Sequence, residues 1–358
     1  MAELYPAPFA NLIDRVFREF SGEGKIFDLP RRSFYRADPN LSTDVSFLGR
    51  RAATPVGPAA GPQSQLAQNI VLAWLAGARI IELKTIQIND RLEIPRPCID
   101  VRTIGFNVEW SQELRLEDSL REYVAAWMLI RMIREAGILD REEHGGETIF
   151  DLSVGYDLEG IQHPRVSGFI RQLQDATTII EELRAQIPDA YGRFRDIDYD
   201  PHVIGSATLS TFHGCPAGEI EQIVDFLMTT FHLDVVIKMN PTLLGYEGVE
   251  RLLHETLGYT EIELDPSAFE HDLQFDEALV ITKRLAKRAK ALGVRLGVKF
   301  SNTLVVKNHD TYFSEDVMYM SGPPLHVITL NLVDRFRKAE GGSLPISFSA
   351  GVDQKNFP

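Results

Sequence analysis

The chain has 358 residues, 44% of them hydrophobic and 25% charged, with a formal net charge of −14 and two cysteines. This is the composition of a soluble globular protein, and the acidic balance argues against nucleic acid or an anionic membrane as the main partner. No apolar run approaches the ~18 residues that span a bilayer, no secretory signal opens the chain, and two cysteines make neither a disulfide framework nor an iron–sulfur site, so the cytoplasm is the expected compartment.

Residues 1–50 read as a lead-in, with an amphipathic helix over 8–20 and an extended arm over 29–40. Residues 51–358 then alternate strand and helix. Short β-branched runs predict strands over 54–60, 79–85, 148–154, 203–210, 234–240, 293–302 and 344–349. Helices are expected over 65–76, where Leu66, Ile70 and Trp74 recur at four-residue spacing before Gly77, and over 113–136, where Leu116, Leu120, Val124 and Trp127 share a face. Two more are expected over 218–231 and 276–292; the second carries Arg284, Lys287 and Lys290 towards its end, where cations suit the helix dipole.

This alternation predicts a parallel sheet covered by helices. No strand is followed by Gly-x-Gly-x-x-Gly, which disfavours an open dinucleotide-binding sheet and leaves a (β/α)8 barrel with seven strands visible. The expectation is a barrel truncated after strand 7, either one portion of a longer polypeptide or completed by another chain.

Three strands share one pattern, an apolar run ending in a polar cluster: Leu83-Lys84-Thr85, Lys238-Met239-Asn240 and Ser301-Asn302-Thr303. Strand ends of a parallel barrel meet at one mouth, where such barrels place their chemistry, so the pattern predicts an enzyme.

The ordered set of strand ends resembles the FMN-binding barrels of dihydroorotate and dihydropyrimidine dehydrogenase. It most resembles the N-terminal part of bacterial proteins named as selenate reductase subunits, large flavin and iron–sulfur oxidoreductases. The resemblance implies that Ala59, Ala60 and Gly61 form a small-residue turn against the flavin, and that Lys84 and Thr85 contact it from the second strand. It implies that Lys238 faces the edge of the flavin ring that carries charge on reduction. Ser321, Gly322 and Gly351 would approach the cofactor, with Gly351 in the phosphate clamp and Ala350 where the family has a first glycine. Asn107, Asn240, Asn302 and Thr303 would hold a planar nitrogen heterocycle, since an amide offers both a donor and an acceptor.

Cys215, in the turn Ser210-Thr-Phe-His213-Gly214-Cys215-Pro216, matches the family's catalytic proton donor, with His213 an alternative acid. Thr208 stands where the family has an asparagine, and four residues separate Ser210 from Cys215, both departures from the pattern. Lys84 also has a structural reading, as partner to Glu82 or Asp151, and Cys98 reads as a small buried hydrophobe.

The resemblance therefore implies an FMN-dependent oxidoreductase barrel passing hydride between FMN and a pyrimidine-like or related ring. Iron–sulfur, FAD and NAD(P)H modules outside this chain would supply electrons, no metal is expected, and FMN is expected to bind weakly to a barrel with half a phosphate clamp. Two alternatives stay open: a lyase using Lys84 or Lys238 as a Schiff base, and a non-catalytic scaffold in a larger redox complex.

Overall fold

The computed structural model describes residues 4–38, 40–89, 92–102, 104–108, 111–139, 147–210, 214–308, 312–349 and 351–357. Its centre is a sheet of six parallel strands: β1 (Ile80–Ile86), β2 (Ile149–Gly155), β3 (Ile204–Ser210), β4 (Asp234–Met239), β5 (Leu296–Phe300) and β6 (Ile346–Phe348). They pair in strict sequence order, β6-β5-β4-β3-β2-β1. Parallel neighbours require a crossover each time, and helices supply it: Leu116–Glu135 between β1 and β2, Ala217–Thr230 between β3 and β4, Phe275–Leu292 between β4 and β5, and Pro323–Glu340 between β5 and β6.

The sheet is curled. Glu82 of β1 forms an ion pair with Lys299 of β5, although three strands lie between them in the sheet. Only a sheet wrapped around its own interior lets those side chains meet.

The expected first strand over 54–60 does not form one. Pro55 and Pro58 have no N–H to give to a ladder. The segment still lies along the outer edge of β1, where Val56 O accepts from Arg79 N at 2.9 Å and Pro58 O from Glu82 N at 3.2 Å. Gly57 permits this approach, because a Cβ there would sit 1.5 Å from the Ile80 carbonyl oxygen. The seven strands expected are thus six strands and one extended edge segment.

The expected helices appear as Phe9–Glu23, Ala67–Leu75, Leu116–Glu135, Ala217–Thr230 and Phe275–Leu292. The helices Pro164–Gln174, Thr177–Arg184 and Pro323–Glu340 go beyond those expectations. Two of them carry Pro at their first turn, where its missing N–H costs nothing.

The largest departure is a second, antiparallel sheet. Its order is Leu304–Lys307, Val317–Ser321, Gly105–Asn107, Ile99–Asp100. It has its own apolar cluster, including Phe106, Leu253, Leu264, Leu304, Met320 and Ile328, separate from the barrel core. The lead-in helix instead joins the barrel core through Phe9, Leu12, Ile13 and Val16. Phe17 stacks on Phe194 at 4.7 Å, on the turn that leads into β3 and hence at the N-terminal end of the strands.

Candidate active site between the two sheets

The C-terminal ends of the parallel strands and the antiparallel sheet enclose a cavity of about 660 Å³. Strand ends supply Lys84, Thr85, Gly155, Tyr156, Ser210, Lys238, Asn302 and Thr303, and the antiparallel sheet supplies Gly105, Phe106, Asn107, Tyr319 and Ser321. The turn after the edge segment adds Ala60, Gly61 and Pro62. No Asp or Glu lines the cavity among the described residues, in a chain of net charge −14. The size falls within the ~300–1,000 Å³ of small-molecule sites.

Consecutive strand residues ordinarily point to opposite faces, yet Lys84 and Thr85 both line this cavity. The register between β1 and β2 shifts between Leu83 and Ile86, a bulge that turns both side chains inward. Thr85 Oγ1 lies 2.8 Å from Ser153 Oγ, and the Lys84 carbonyl accepts from the Tyr123 hydroxyl at 2.9 Å. Tyr156, just past the end of β2, holds φ at 80°, a conformation uncommon outside glycine, and lies at the rim.

Beneath the cavity floor lies a buried charge cluster. Lys238 and Lys299 stand directly opposite each other on β4 and β5, and Glu82 and Asp151 do so on β1 and β2. Lys299 pairs with Glu82, and Ala60 N donates to the same Glu82 oxygen at 3.0 Å. Of the two carboxylates the sequence suggested as partners for Lys84, Glu82 takes Lys299 as its ion-pair partner. Burial alone would push the Glu82 carboxyl up, but the charges of Lys299 and Lys238 outweigh it and hold it below its ordinary range. Glu82 Oε1 is buried with no hydrogen-bond partner among the described residues.

Asp151 accepts from Ser206 Oγ and Thr208 Oγ1, each at 2.5 Å. Burial and the nearby Glu82 charge push its carboxyl up to about 6. Thr208, at the family's asparagine position, thus serves Asp151 and does not line the cavity. Burial pushes the Lys238 ammonium down to about 8; Glu82 opposes that shift and Lys299 adds to it.

The asparagines divide. Asn107 and Asn302 line the cavity with Thr303. Asn107 Nδ2 donates to Val108 O at 2.7 Å. Asn240 does not line it: it is buried, accepting from Asn302 Nδ2 at 3.2 Å and donating to Asp272 Oδ2 at 3.0 Å. Asp272, Lys299 and Glu122 had no signal in sequence order, since each acquires its role from a partner at least 30 residues away.

Of the expected cofactor residues, Ala60, Gly61, Lys84, Thr85, Lys238 and Ser321 line the cavity, and Ala59, Gly322 and Gly351 do not. Gly322 and Gly351 pack against each other at the head of the Pro323–Glu340 helix, where a Cβ on Gly351 would meet Gly322 O at 2.4 Å. Cys215 is 3% exposed, belongs to the barrel core and is absent from the cavity lining. Burial pushes its thiol up to about 12, helped by the charges of Glu219, Asp157 and Asp272. His213 and Ala350 lie outside the described residues. Cys98 is buried and receives a contact from Arg96 Nη1 at 2.7 Å.

Residues 27–358 match the family described as "Oxidoreductase YgfK, N-terminal TIM-barrel domain". The chain belongs to this family. "Putative oxidoreductase YgfK" of Escherichia coli (strain K12) is 38% identical to it over 370 residues, covering 98% of this chain and 35% of that protein. The protein of the same name from Escherichia coli O157:H7 gives the same figures. The chain thus spans about a third of the length of these curated relatives. Among solved structures, DHODH in complex with ferulenol from Eimeria tenella aligns over 98% of this chain and 81% of its own, at 16% identity and a TM-score of 0.49. No described helix is long and apolar enough to cross a membrane.

Proposed function

We propose that this YgfK-type barrel is an FMN-dependent oxidoreductase domain that exchanges hydride with a planar nitrogen heterocycle. One observation carries the reading: Lys84, Lys238, Asn107 and Asn302 converge on a single cavity that no described carboxylate lines. Such a site suits a flat ring that gains negative charge, because cations stabilise the charged form and amides fix its orientation. The residues present fit FMN: Ala60, Gly61 and Pro62 form a small-residue wall, and two lysines, Lys84 and Lys238, line the same space. FMN, when bound, supplies the hydride chemistry.

The chain's own residues would bind and orient. Lys84, Thr85 and Lys238 would hold the cofactor ring. The turn of Ser321, Gly322 and Gly351, with Ala59 behind Ala60, would shape its phosphate end. Asn107, Asn302 and Thr303 would hold the substrate, with Asn240 supporting Asn302. Cys215 is a poor proton donor in the conformation described, since it lies in the core and not in the cavity wall. Electrons would come from iron–sulfur and flavin modules outside residues 1–358, which places this domain at the substrate end of a longer chain of redox groups.

The test is spectroscopic. Purified protein titrated with excess FMN should bind it and shift the visible bands of the flavin. After anaerobic photoreduction, one member of a panel of pyrimidines and purine-related heterocycles should restore the oxidised spectrum. A protein that takes up no FMN refutes the cofactor assignment. A bound flavin that no panel member reoxidises refutes the substrate class.

The lowered Lys238 ammonium, about 8, favours one other reading, a Schiff-base lyase. Borohydride trapping of a carbonyl substrate on Lys238, in protein that binds no flavin, would replace the first reading with the second.

A further inference from the structure

The geometry points to Asp272 as a positioning residue that fixes which way the substrate-facing amide of Asn302 presents its donor and acceptor. This rests on the reading above that Asn302 contacts the substrate. Asp272 lies in the segment between β4 and the Phe275–Leu292 helix and is 3% exposed. Among the described residues, three donors converge on its carboxyl: Gly214 N at 2.6 Å on Oδ1, and Asn240 Nδ2 at 3.0 Å and Thr242 Oγ1 at 2.7 Å on Oδ2.

The consequence passes through two amides. A carboxylate oxygen accepts, so Asn240 must turn its Nδ2 towards Asp272 and its Oδ1 away. That Oδ1 accepts from Asn302 Nδ2 at 3.2 Å. Asn302 Oδ1 then faces Thr303 N and accepts from it at 3.1 Å. Each amide is held in one of its two orientations by a group that can act in only one sense: the Asp272 carboxylate at one end, a backbone N–H at the other. Asn302 lines the cavity, so its remaining N–H offers a donor in a fixed place. The site is thereby biased towards a ring edge that presents a carbonyl over one that presents an amino group.

Asp272 also ties Gly214, the first described residue after β3, to Asn240 just past the end of β4. One buried carboxylate therefore holds both the backbone N–H of Gly214 and the polarity of the Asn240–Asn302 pair.

The decisive variant is Asp272→Asn, isosteric and neutral. A backbone N–H cannot reverse, whereas an amide and a hydroxyl can, so the new amide would keep its oxygen towards Gly214 N and turn its nitrogen towards Asn240 and Thr242; Asn240 would then turn over, and Asn302 would turn or break away. Thr242→Val is the control, because it removes one donor to Asp272 and leaves the polarity constraint intact. Two readouts apply. In the full chain labelled with ¹⁵N-asparagine, Asp272→Asn should move the side-chain amide signals of both Asn240 and Asn302, and Thr242→Val should leave the Asn302 signal in place. In the FMN-loaded chain, uracil should bind about tenfold or more tighter than cytosine, which replaces one ring carbonyl by an amino group, as expected when a mismatched buried donor goes unpaired. Asp272→Asn should cut that ratio to below about threefold, and Thr242→Val should preserve it.

An Asn302 signal unmoved in Asp272→Asn overturns the proposal, as does an equal loss of both ligands with their ratio unchanged. If the Asn302 signal moves but FMN-loaded wild-type protein binds neither probe, the relay stands and the pyrimidine form of the heterocycle reading fails.

Discussion

Lys238→Met should stabilise the protein near neutral pH while removing its affinity for FMN. Burial holds the folded-state ammonium at about 8 against an ordinary 10.5. Between those values the unfolded chain binds the proton more tightly than the folded one, so stability rises with pH across that window. Below pH 8 the cost of carrying the charge is complete; above 10.5 it is gone. At about 1.4 kcal/mol per tenfold, the gap corresponds to about 3 kcal/mol. Lys238 is only partly buried and faces the cavity, so screening by water reduces this to about 2 kcal/mol. Urea denaturation of wild type and variant at pH 7 and pH 10 reads it directly. The variant should be more stable by about 2 kcal/mol at pH 7, and the advantage should shrink at pH 10. A variant less stable at pH 7, or equally advantaged at both pH values, would show that Lys238 is not held charged against a desolvation cost.

Three further outcomes follow from the same structure. Glu122 is pushed up to about 7, chiefly by burial, while accepting from Ala67 N at 2.6 Å. Its folded value exceeds its unfolded one, so its favourable contribution is full below about pH 4.5 and lost as pH rises through 7; Glu122→Gln should flatten that fall and raise stability at pH 8 by about 2 kcal/mol in thermal melts. Cys215, with its thiol pushed up to about 12, should react with iodoacetamide at pH 8 about a thousandfold more slowly than a free thiol, and at the ordinary rate once the chain is unfolded. Gly57→Ala should cost about 3 kcal/mol or more, or abolish soluble expression, because the added methyl meets the Ile80 carbonyl at 1.5 Å; a well-folded variant would mean that the edge segment does not lie against β1 as described.

How much of this was legible beforehand follows from what short sequence windows contain. β1, β2, β4 and β5 announce themselves because they are buried on both faces and rich in Val and Ile, and the helix faces by their spacing. Lys84, Lys238 and Asn302 were legible because a parallel barrel sends every strand end to one mouth. The antiparallel sheet was not. Its strands are two to five residues long, and Gly105–Asn107 pairs with Val317–Ser321 more than 200 positions away. The segment over 54–60 misled for the opposite reason: it has the apolar run of a strand and lies where one would, but its prolines cannot donate. Nor could alternation foresee that Thr85 joins Lys84 in the cavity wall, since that depends on a bulge against β2. Cys215 shows the limit of a motif: the match fixes its place in the order of strand ends, not the side of the wall on which its sulfur lies.

The placement of Lys299 leaves Lys238 available to the flavin proposed above. Two lysines directly opposite on neighbouring strands repel each other, and a single buried carboxylate, Glu82, serves them both. Had Lys238 formed the close contact with Glu82, its charge would be spent within the floor. Lys299 makes that contact instead, and Glu82 uses the same oxygen to hold Ala60 N at the turn beside the cavity. Lys238 is left with the long-range attraction of Glu82 but with no ion-pair partner among the described residues, and it lines the cavity. Glu82→Gln should therefore lower the Lys238 ammonium further, while Lys299→Met should raise it, since one loses an opposing charge and the other loses a like one. Because the two substitutions move the same group in opposite directions, the pH dependence of FMN binding should shift down in the first and up in the second. A generic loss of packing would move both the same way.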